Sequence, residues 1–379
     1  MAKSEKERVV VLRESLEAYL SSVFSEDVDV VYVDELGKEK KEKRLEKGEE
    51  SDFKGFGYGT PYFIVLNVGG RMKKIILETM RPSGSFGHNY FSDRAGILLW
   101  QHSAFNKLPK HARSVDVGAF TKRQGLKSIG DCDEFFIVTE FAEGKLYHED
   151  LDRLKMFKQL TPLDLNRCRA LSDYLVEIHK VKSKNAELYV RRIRDLVGHG
   201  ECIMGLMDSY PTGLDYISEK NLVEIEKRCV EWRWKLKRFT HRLAQVHGDY
   251  HPWNVLFHKS VNFTVLDRSR GEWGEPADDV SAMTINYLFY SLQAYGRLAK
   301  SFETLFNIFW KNYLDKTGDE EILSVIPPFF AWRGLVVASP VWYPNLPKHV
   351  RTKLFNFIRN VLETEKLDLK NVNSYFELK

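Results

Sequence analysis

The polar residues best suited to chemistry lie in one short stretch, His247 to Asn254, which reads HGDYHPWN and has apolar residues on both sides. A further carboxylate, Asp267, follows the apolar pair Val265-Leu266. In phosphoryl transfer an aspartate orients the attacking hydroxyl, while an asparagine and a second aspartate hold magnesium on the nucleotide phosphates. The residue types and their order therefore suit phosphoryl transfer.

The frame H-G-D-x-x-x-x-N with a later aspartate resembles the catalytic loop of the aminoglycoside phosphotransferase family, small-molecule kinases related to choline and homoserine kinases. The resemblance runs from about Asp29 to the C-terminus and is sharpest between His247 and Asp279. It implies ATP and Mg2+ as cofactors and Asp249 as the catalytic aspartate. It also implies Asn254 and Asp267 as metal ligands; for Asp249 alone, a local turn cap is the alternative.

Two nearby residues receive supporting roles from the resemblance. His247 would pack beneath the loop and bind backbone, and Asp279 would brace the loop, although capping of the helix that starts there is an alternative. His247, Asp249 and His251 together also have the composition of a transition-metal site, which is a further alternative. Only about a dozen residues separate Asp267 from this helix, too few for the segment on which protein kinases seat a polypeptide, so a small acceptor is predicted.

The first part of the chain is predicted to be rich in strands. A capping pattern at Ser4–Glu7 predicts an N-terminal helix, and Asp29–Val33 predicts a strand. Gly37–Glu50 is predicted to be a charged surface loop. Two apolar runs around Gly69-Gly70 predict a hairpin, and Glu134–Phe141 predicts a further buried strand.

Within the first part, Ser92 is a candidate cap of one helix. The remaining chain is predicted to be mainly helical, and Thr161-Pro162 is a cap followed by proline at the first helical position. Apolar residues at helical spacing predict helices over Glu219–Ala244, from Val280 onward, and over Lys348–Leu362. We therefore expect an α+β protein with the two-lobed protein kinase-like fold: a β-rich N-terminal lobe at residues 1–141 and a helical C-terminal lobe at residues 142–379.

The resemblance also suggests where a nucleotide would bind. Gly55, Gly57 and Gly59 would form a loop over the phosphates, although a mobile turn explains three alternate glycines nearly as well. Backbone groups around Glu140 and Phe141 would contact the adenine base, although any buried edge strand has a similar sequence.

One position departs from the kinase pattern. Glu78 occupies the place where the third strand normally carries a basic residue for the α- and β-phosphates, and a carboxylate there would repel phosphate. We hypothesise that Glu78 pairs with Arg94 and that the arginine faces the phosphates. Lys74 or Arg81 is the phosphate ligand if the register differs.

Two arginines follow the second aspartate. Arginine binds carboxylate or phosphate well, so Arg268 and Arg270 favour a neutral or anionic hydroxylated acceptor over an aminoglycoside. Alternatively, they form ion pairs with Glu272, Glu275 or Asp278 and contact no substrate. The basic group Arg191-Arg192-x-Arg194 either lines the cleft or solvates a helix.

Composition narrows the class of protein. A net charge of +4 is small beside 57 basic and 53 acidic side chains, so it indicates neither a nucleic acid nor a membrane partner. The four scattered cysteines indicate neither a zinc site nor a disulfide framework. The N-terminus has no apolar signal core, and Arg333 interrupts the longest apolar run, so we expect a cytoplasmic protein.

The sequence thus predicts an ATP- and Mg2+-dependent phosphotransferase acting on a hydroxyl of a small metabolite. A kinase-like ATP-binding regulatory protein with weak or no catalysis is one alternative, motivated by Glu78. An aminoglycoside-resistance phosphotransferase is the other, although Arg268 and Arg270 count against it.

Overall fold

The computed structural model describes residues 9–35, 53–56, 61–80, 88–123 and 125–378. The chain divides into two compact units, Met1–Thr139 and Glu140–Lys379. The described strands lie in small antiparallel sheets, and helices make up most of the second unit, so the expected α+β class is confirmed. No described helix is long and apolar enough to cross a membrane.

The first unit is built around a three-stranded sheet. Its described elements are β1 (Val9–Val11), α1 (Arg13–Phe24), β2 (Val28–Glu35), β3 (Phe53–Phe56), β4 (Tyr62–Val68), β5 (Arg71–Leu77), α2 (Phe91–Phe105), β6 (Gly118–Phe120) and β7 (Leu126–Ser128). The sheet has the order β2-β4-β5, while β1 pairs with β3 and β6 with β7.

The predicted hairpin is present as β4 and β5. Every second residue of β4, from Tyr62 to Val68, is buried, so one face of the strand packs into the core with Leu16 and Leu20 of α1. Gly69 and Gly70 have φ values of +51° and +82°. Two positive φ angles fit the tight turn that a two-residue hairpin connection requires, and glycine adopts them without a Cβ clash.

The second unit combines two small sheets with a helical core. Its strands are β8 (Lys145–Leu146), β9 (Ala244–Gln245), β10 (Val255–Phe257), β11 (Phe263–Val265) and β12 (Trp273–Gly274). Its helices are α3 (Tyr147–Phe157), α4 (Pro162–His179), α5 (Ala186–Gly198), α6 (Ile203–Asp208), α7 (Glu219–Leu236), α8 (Pro276–Tyr295), α9 (Lys300–Thr317), α10 (Ile322–Val325), α11 (Pro327–Ala338) and α12 (Lys348–Leu362). The sheets have the orders β11-β10-β8 and β12-β9.

Helix α8 is the central helix of this unit. From Pro276 to Leu292 every side chain except that of Asp278 is buried, and the helix packs against α9 and α11. A helix that is buried on all sides is a core helix. Its first turn therefore gives a fixed position to the polar residues that it carries.

The predicted strand at residues 134–141 is wrong. The segment has no assigned strand, none of the described strands pairs with it, and the side chain of Phe136 is 89% exposed. The residues have the aromatic and β-branched character of a strand, but a strand also needs a hydrogen-bonding partner. Sequence character alone does not supply that partner.

Three other boundaries differ from the prediction. The helix predicted over Glu219–Ala244 ends at Leu236, because Ala244–Gln245 instead pairs with Trp273–Gly274 as a strand. Helix α2 has Tyr90 rather than Ser92 as its N-cap. The predicted capping pattern at Ser4–Glu7 and the charged loop at residues 37–50 lie outside the described residues.

The remaining helix predictions agree closely with the structure. Thr161 caps α4 by accepting a hydrogen bond from the amide of Asp164, with Pro162 at the first helical position. Helix α12 has the predicted bounds, Lys348–Leu362. Local sequence signals suffice to predict these helix ends, because an N-cap residue and a proline act within one helical turn.

Candidate active site

A short hairpin brings the two predicted metal ligands to the same end of one sheet. Strands β10 and β11 pair antiparallel, with Val255 opposite Val265. The amide of Leu266 donates to the carbonyl of Asn254 over 2.8 Å. Asn254 immediately precedes β10, and Asp267 immediately follows Leu266. The hairpin register therefore places Asn254 and Asp267 next to one another.

The catalytic loop is braced from the first turn of α8. The carboxylate of Asp279 is fully buried and accepts hydrogen bonds from the amides of His247 and Gly248, each over 2.7 Å. His179 Nε2 lies 3.1 Å from the same carboxylate. Burial alone would raise the pKa of Asp279, but His179 and the loop outweigh it and lower that pKa. Asp279 is thus an ionised carboxylate whose oxygens are engaged by the two loop amides and by His179.

The start of α8 is itself anchored by a buried ion pair. Glu275 caps the helix by accepting from the amide of Ala277 over 3.3 Å. The same carboxylate accepts from Arg242 over 2.8 Å and from the hydroxyl of Tyr189 over 2.8 Å. Because its partners come from other elements, Glu275 fixes the position of the helix end that carries Asp279.

His247 and Gly248 shape the loop. His247 is buried, and its Nδ1 accepts from the amide of Asp249 over 3.2 Å. Burial lowers the pKa of His247, which favours the neutral ring. Gly248 has a φ of +86°, and a Cβ there would lie 3.3 Å from Cβ of Arg270. A side chain at this position would strain the turn that presents Asp249.

The Asp249 carboxylate is held by groups on both of its oxygens. Its Oδ1 accepts from Arg333 Nη1 over 2.6 Å, and Arg270 Nη1 lies 3.6 Å away. Its Oδ2 lies 3.4 Å from both Asn254 Nδ2 and His251 Nε2. Burial would raise the pKa of Asp249, but Arg333, His251 and Arg270 outweigh it and lower that pKa. Asp249 is therefore ionised and weakly basic, suited to orienting a hydroxyl.

Arg333 is a site residue that the sequence did not identify. It lies in α11, is 4% exposed, and also donates to the carbonyl of Gly248 over 3.1 Å and to Asp278 Oδ1 over 2.6 Å. Its only signal in the sequence is a single charge within an apolar helix. An arginine is rarely buried without a partner, so that charge indicated a buried ion pair.

The side chains of Asn254 and Asp267 fit a magnesium site. Asn254 Nδ2 donates to the carbonyl of Asp249 over 3.0 Å, which leaves its Oδ1 for another partner. Asp267 is exposed, has a φ of +52°, and accepts from the amide of Ser269 through Oδ1. Neutral and charged oxygens are the ligands that Mg2+ prefers, with phosphate and water completing the shell. A cavity of about 250 Å3 adjoins this point, lined in part by His247, Leu266 and Asp267.

No group of three or more His, Cys, Asp or Glu side chains able to hold a metal occurs in the described part of the chain. The donor set near the loop is thus one amide and one carboxylate. A cation held by so few protein ligands needs the substrate phosphates as well.

Arg268 and Arg270 have different surroundings. Arg268 donates to the carbonyl of Val246 over 2.8 and 3.0 Å and to the carbonyl of Glu272 over 3.2 Å. Arg270 stacks over the ring of Trp332 at 4.4 Å, beside Asp249. Arg268 thus holds the backbone together, whereas Arg270 lies beside the carboxylate of Asp249.

The basic group of α5 converges on one acid. Arg191, Arg192 and Arg194 each form an ion pair with Asp195, at 3.3, 3.8 and 3.1 Å. Arg192 also donates to the carbonyl of Trp273 over 2.9 Å. These contacts connect α5 to β12.

The predicted nucleotide contacts of the first unit are only partly described. Gly55 lies in β3, while Gly57, Gly59 and Arg81 lie outside the described residues. The predicted pair between Glu78 and Arg94 is absent from the ion pairs of the described residues. Arg94 Nη1 donates to the carbonyls of His88 and Asn89 over 2.8 and 3.0 Å.

Four residues predicted to lie at or near the nucleotide have exposed side chains, and the described contacts do not test their predicted roles. Glu78 and Lys74 are exposed. Glu140 and Phe141, the predicted adenine contacts, are exposed in the segment that lacks a strand. Their assignment to a nucleotide stays a prediction from the sequence.

Comparison with known proteins supports the family resemblance. Residues 116–303 match the profile of the phosphotransferase enzyme family. No curated protein matches the sequence.

Several solved structures are similar at low identity. An amicoumacin kinase in complex with AMP-PNP and Ca2+ is 17% identical, with 62% of this chain and 67% of that chain covered and a TM-score of 0.40. A glucosamine kinase is 14% identical, with 60% of this chain covered, a TM-score of 0.31, and only 55% of its own length spanned. The choline kinase of Cryptosporidium parvum Iowa II is 12% identical, with 91% and 87% of the two chains covered and a TM-score of 0.32.

The matched segment contains the catalytic loop, the hairpin that follows it and the helix end that braces it. The resemblance inferred from the loop sequence is therefore confirmed by an independent comparison. Residues 116–303 are thus similar to the phosphotransferase enzyme family.

Proposed function

We propose that the protein is an ATP- and Mg2+-dependent phosphotransferase that transfers the γ-phosphate to a hydroxyl of a small metabolite. The observation that carries the proposal is the catalytic loop itself. One braced turn presents the Asp249 carboxylate with Asn254 beside it, and the adjoining hairpin brings Asp267 next to Asn254. Phosphoryl transfer depends mainly on positioning and charge neutralisation, which this arrangement supplies.

Each of the three residues has a distinct role in the proposed reaction. Asp249 accepts a hydrogen bond from the acceptor hydroxyl and directs its oxygen at the γ-phosphorus. The new P–O bond forms as the bond to the leaving ADP oxygen breaks, and the hydroxyl proton passes to Asp249 or to a phosphate oxygen. Asn254 and Asp267 would hold the metal, which would neutralise part of the charge of the phosphates. A weakly basic Asp249 suits this chemistry, because the transition state is loose and demands little proton removal beforehand.

The surroundings of Asp249 favour a neutral or anionic acceptor over an aminoglycoside. Arg333 and Arg270 both approach Asp249 Oδ1. A polycationic acceptor would be repelled by two guanidinium groups, while a neutral or acidic one would not. The resistance-enzyme alternative is therefore the weaker one.

Loss of the catalytic and metal-binding side chains tests the proposal. With Mg-ATP and pooled sugars, amino alcohols, hydroxy acids and aminoglycosides, we expect phosphorylated product from the natural sequence. Asp249→Ala and Asp267→Ala each lower kcat by about 1000-fold, the scale of a lost electrostatic or positioning group. Product formation is measured by mass spectrometry and ADP release.

A kinase-like ATP-binding protein without catalysis is the second candidate, and Glu78 is the observation that favours it. ATP binding without phosphate transfer to any pool, and without hydrolysis sensitive to Asp249→Ala, would establish that candidate.

Because the proposed reaction consumes ATP, we propose that it takes place in the cytoplasm. Gly55, Gly57, Gly59, Arg94, Glu140 and Phe141 remain the nucleotide contacts proposed from the sequence.

A further inference from the structure

A group of buried N–H donors beside Asp249 has no hydrogen-bond acceptor among the described residues. The group consists of four atoms: Arg270 Nε and Nη1, Arg333 Nε, and Trp332 Nε1. Buried donors of this kind are rare, because each one left without an acceptor destabilises the folded state. Four of them around one side chain indicate a place where an acceptor is bound during function.

The donors are arranged around a single aromatic ring. The guanidinium of Arg333 lies 3.8 Å from the ring centre of Trp332, and that of Arg270 lies 4.4 Å from it. Both guanidinium groups therefore contact the Trp332 ring and approach the same carboxylate. Planar guanidinium groups held in this way are preorganised to bind an anion.

The two arginines differ in how far their charge is already neutralised. Arg333 forms 2.6 Å ion pairs with both Asp249 and Asp278. Among the described residues, the ion-pair contacts of Arg270 are longer, at 3.6 Å to Asp249 and 4.0 Å to Glu201, and its side chain is 24% exposed. Arg270 is thus the positive charge with the greater capacity for a new partner, and a ligand can reach it from solvent.

The two oxygens of Asp249 face different partners. Asn254, the proposed metal ligand, lies on the Oδ2 side. Arg333 and Arg270 lie on the Oδ1 side. If nucleotide and metal occupy the side of Asn254, the unpaired donors lie on the side of the acceptor.

We infer, on the basis of the phosphotransferase function proposed above, that Arg270 together with Arg333 and Trp332 binds an acidic group of the acceptor. The acceptor is then a hydroxy acid whose carboxylate or phosphate contacts Arg270 while its hydroxyl contacts Asp249. Arg270 Nη1 and Asp249 Oδ1 are 3.6 Å apart. Because each hydrogen bond adds about 2.8 Å, the acid and the hydroxyl lie within a few covalent bonds of each other.

A matched acceptor set tests this inference on the full chain. Glycerate and gluconate carry the acid, their amides are the neutral counterparts, and 2-amino-1,3-propanediol and glucosamine are the cationic ones. With Mg-ATP we expect kcat/KM to be highest for the acids. Preference for the amides or the amines would overturn the inference.

Substitution of Arg270 links the preference to one side chain. Arg270→Gln should lower the ratio of kcat/KM for acid over amide by about 10- to 100-fold, the value of one charge-assisted hydrogen bond. Arg270→Lys, which keeps the charge, should restore part of the ratio. Arg194→Gln removes an equal charge from an arginine paired with Asp195 and should leave the ratio unchanged.

Two further outcomes distinguish a failure of the proposed anion site from a failure of the proposed phosphotransferase function. If Arg270→Gln raises the KM for ATP equally with every acceptor, the anion is the transferred phosphate, and the inference is wrong. If no acceptor is phosphorylated at all, the proposed function fails, and calorimetry decides the anion site separately. Glycerate or gluconate titrated into protein with Mg-ADP should then bind to the natural sequence and at least about tenfold more weakly to Arg270→Gln; absence of binding to both overturns the inference.

Discussion

The catalytic loop has two sides that differ in how their polar groups are satisfied. On one side, Asp279 accepts from two loop amides and from His179, and all three partners are buried. On the other side, Arg333 and Arg270 approach Asp249, and several of their N–H donors have no acceptor among the described residues. The first side is built to hold a fixed conformation, and the second retains binding capacity for a ligand.

The same helix end supplies a carboxylate to each side. Asp278 pairs with Arg333, and Asp279 pairs with the loop. Their environments shift the two pKa values in opposite directions. Burial raises the pKa of Asp278 to about 6, whereas the partners of Asp279 lower the pKa of that residue. Adjacent residues of one type thus have different chemical functions because a helix turns by about 100° per residue.

The largest effect is expected from the brace. Asp279→Asn replaces one accepting oxygen by an NH2 group that faces a loop amide or His179. The buried donors left unpaired should lower the free energy of unfolding by about 3 kcal/mol. Because the loop that carries Asp249 is displaced, kcat should fall by about 100-fold, the effect of a misplacement of about 1 Å. Urea denaturation and steady-state kinetics measure the two effects.

The neighbouring position provides the control for this variant. Asp278→Asn makes the same chemical change one residue earlier, on the arginine side. A loss of unfolding free energy in Asp278→Asn as large as in Asp279→Asn would contradict the distinction between the two sides.

An intermediate effect is expected from Arg333. Arg333→Met keeps much of the side-chain volume but leaves Asp249 and Asp278 without their shared partner. Both carboxylates are partly exposed, so we expect a loss of about 2 kcal/mol in unfolding free energy, below the value for a fully buried pair. The pKa of Asp249 should rise, moving the acid limb of the kcat profile to higher pH. An unchanged acid limb would show that Arg333 does not set the charge of Asp249.

The smallest effect concerns the pH dependence of stability. The pKa of Asp278 is about 6 in the folded protein and about 4 in an unfolded chain, so the folded state binds the proton more tightly. The stabilisation from this proton is full below about pH 4 and is lost as the pH rises through about 6. The Tm of the natural sequence should therefore increase relative to Asp278→Asn between about pH 7 and about pH 4. Parallel Tm curves for the two proteins would refute the shift.

The parts of the site that were predictable are those encoded by neighbouring residues. Asp249, Asn254 and Asp267 lie within one loop and one hairpin, so their order along the chain nearly determines their proximity. Arg333 contacts Asp249 from 84 residues away, through the packing of α11, and the local sequence does not identify Asp249 as its partner. Residues 134–141 show the opposite error, because a local pattern typical of a strand led to a wrong prediction. None of the described strands pairs with this segment.

The different contacts of Arg268 and Arg270 also explain why the sequence alone did not determine the acceptor class. Arg268 and Arg270 look equivalent in the sequence, but Arg268 binds the carbonyls of Val246 and Glu272, and Arg270 lies at Asp249. The turn that contains both residues gives their side chains different directions. Only the tertiary structure distinguishes the arginine that binds the backbone from the one that lies beside Asp249.

The shared origin of Asp278 and Asp279 in α8 has a mechanical consequence. Any rotation or translation of this helix end displaces the loop amides and Arg333 at the same moment, so the position of Asp249 and the arginine that neutralises it cannot drift independently. The buried Arg242–Glu275 pair at the helix cap then acts as the common fixed point of both. We therefore expect a substitution at Arg242, which touches neither Asp249 nor Arg333 in the described contacts, to shift the brace and the arginine together.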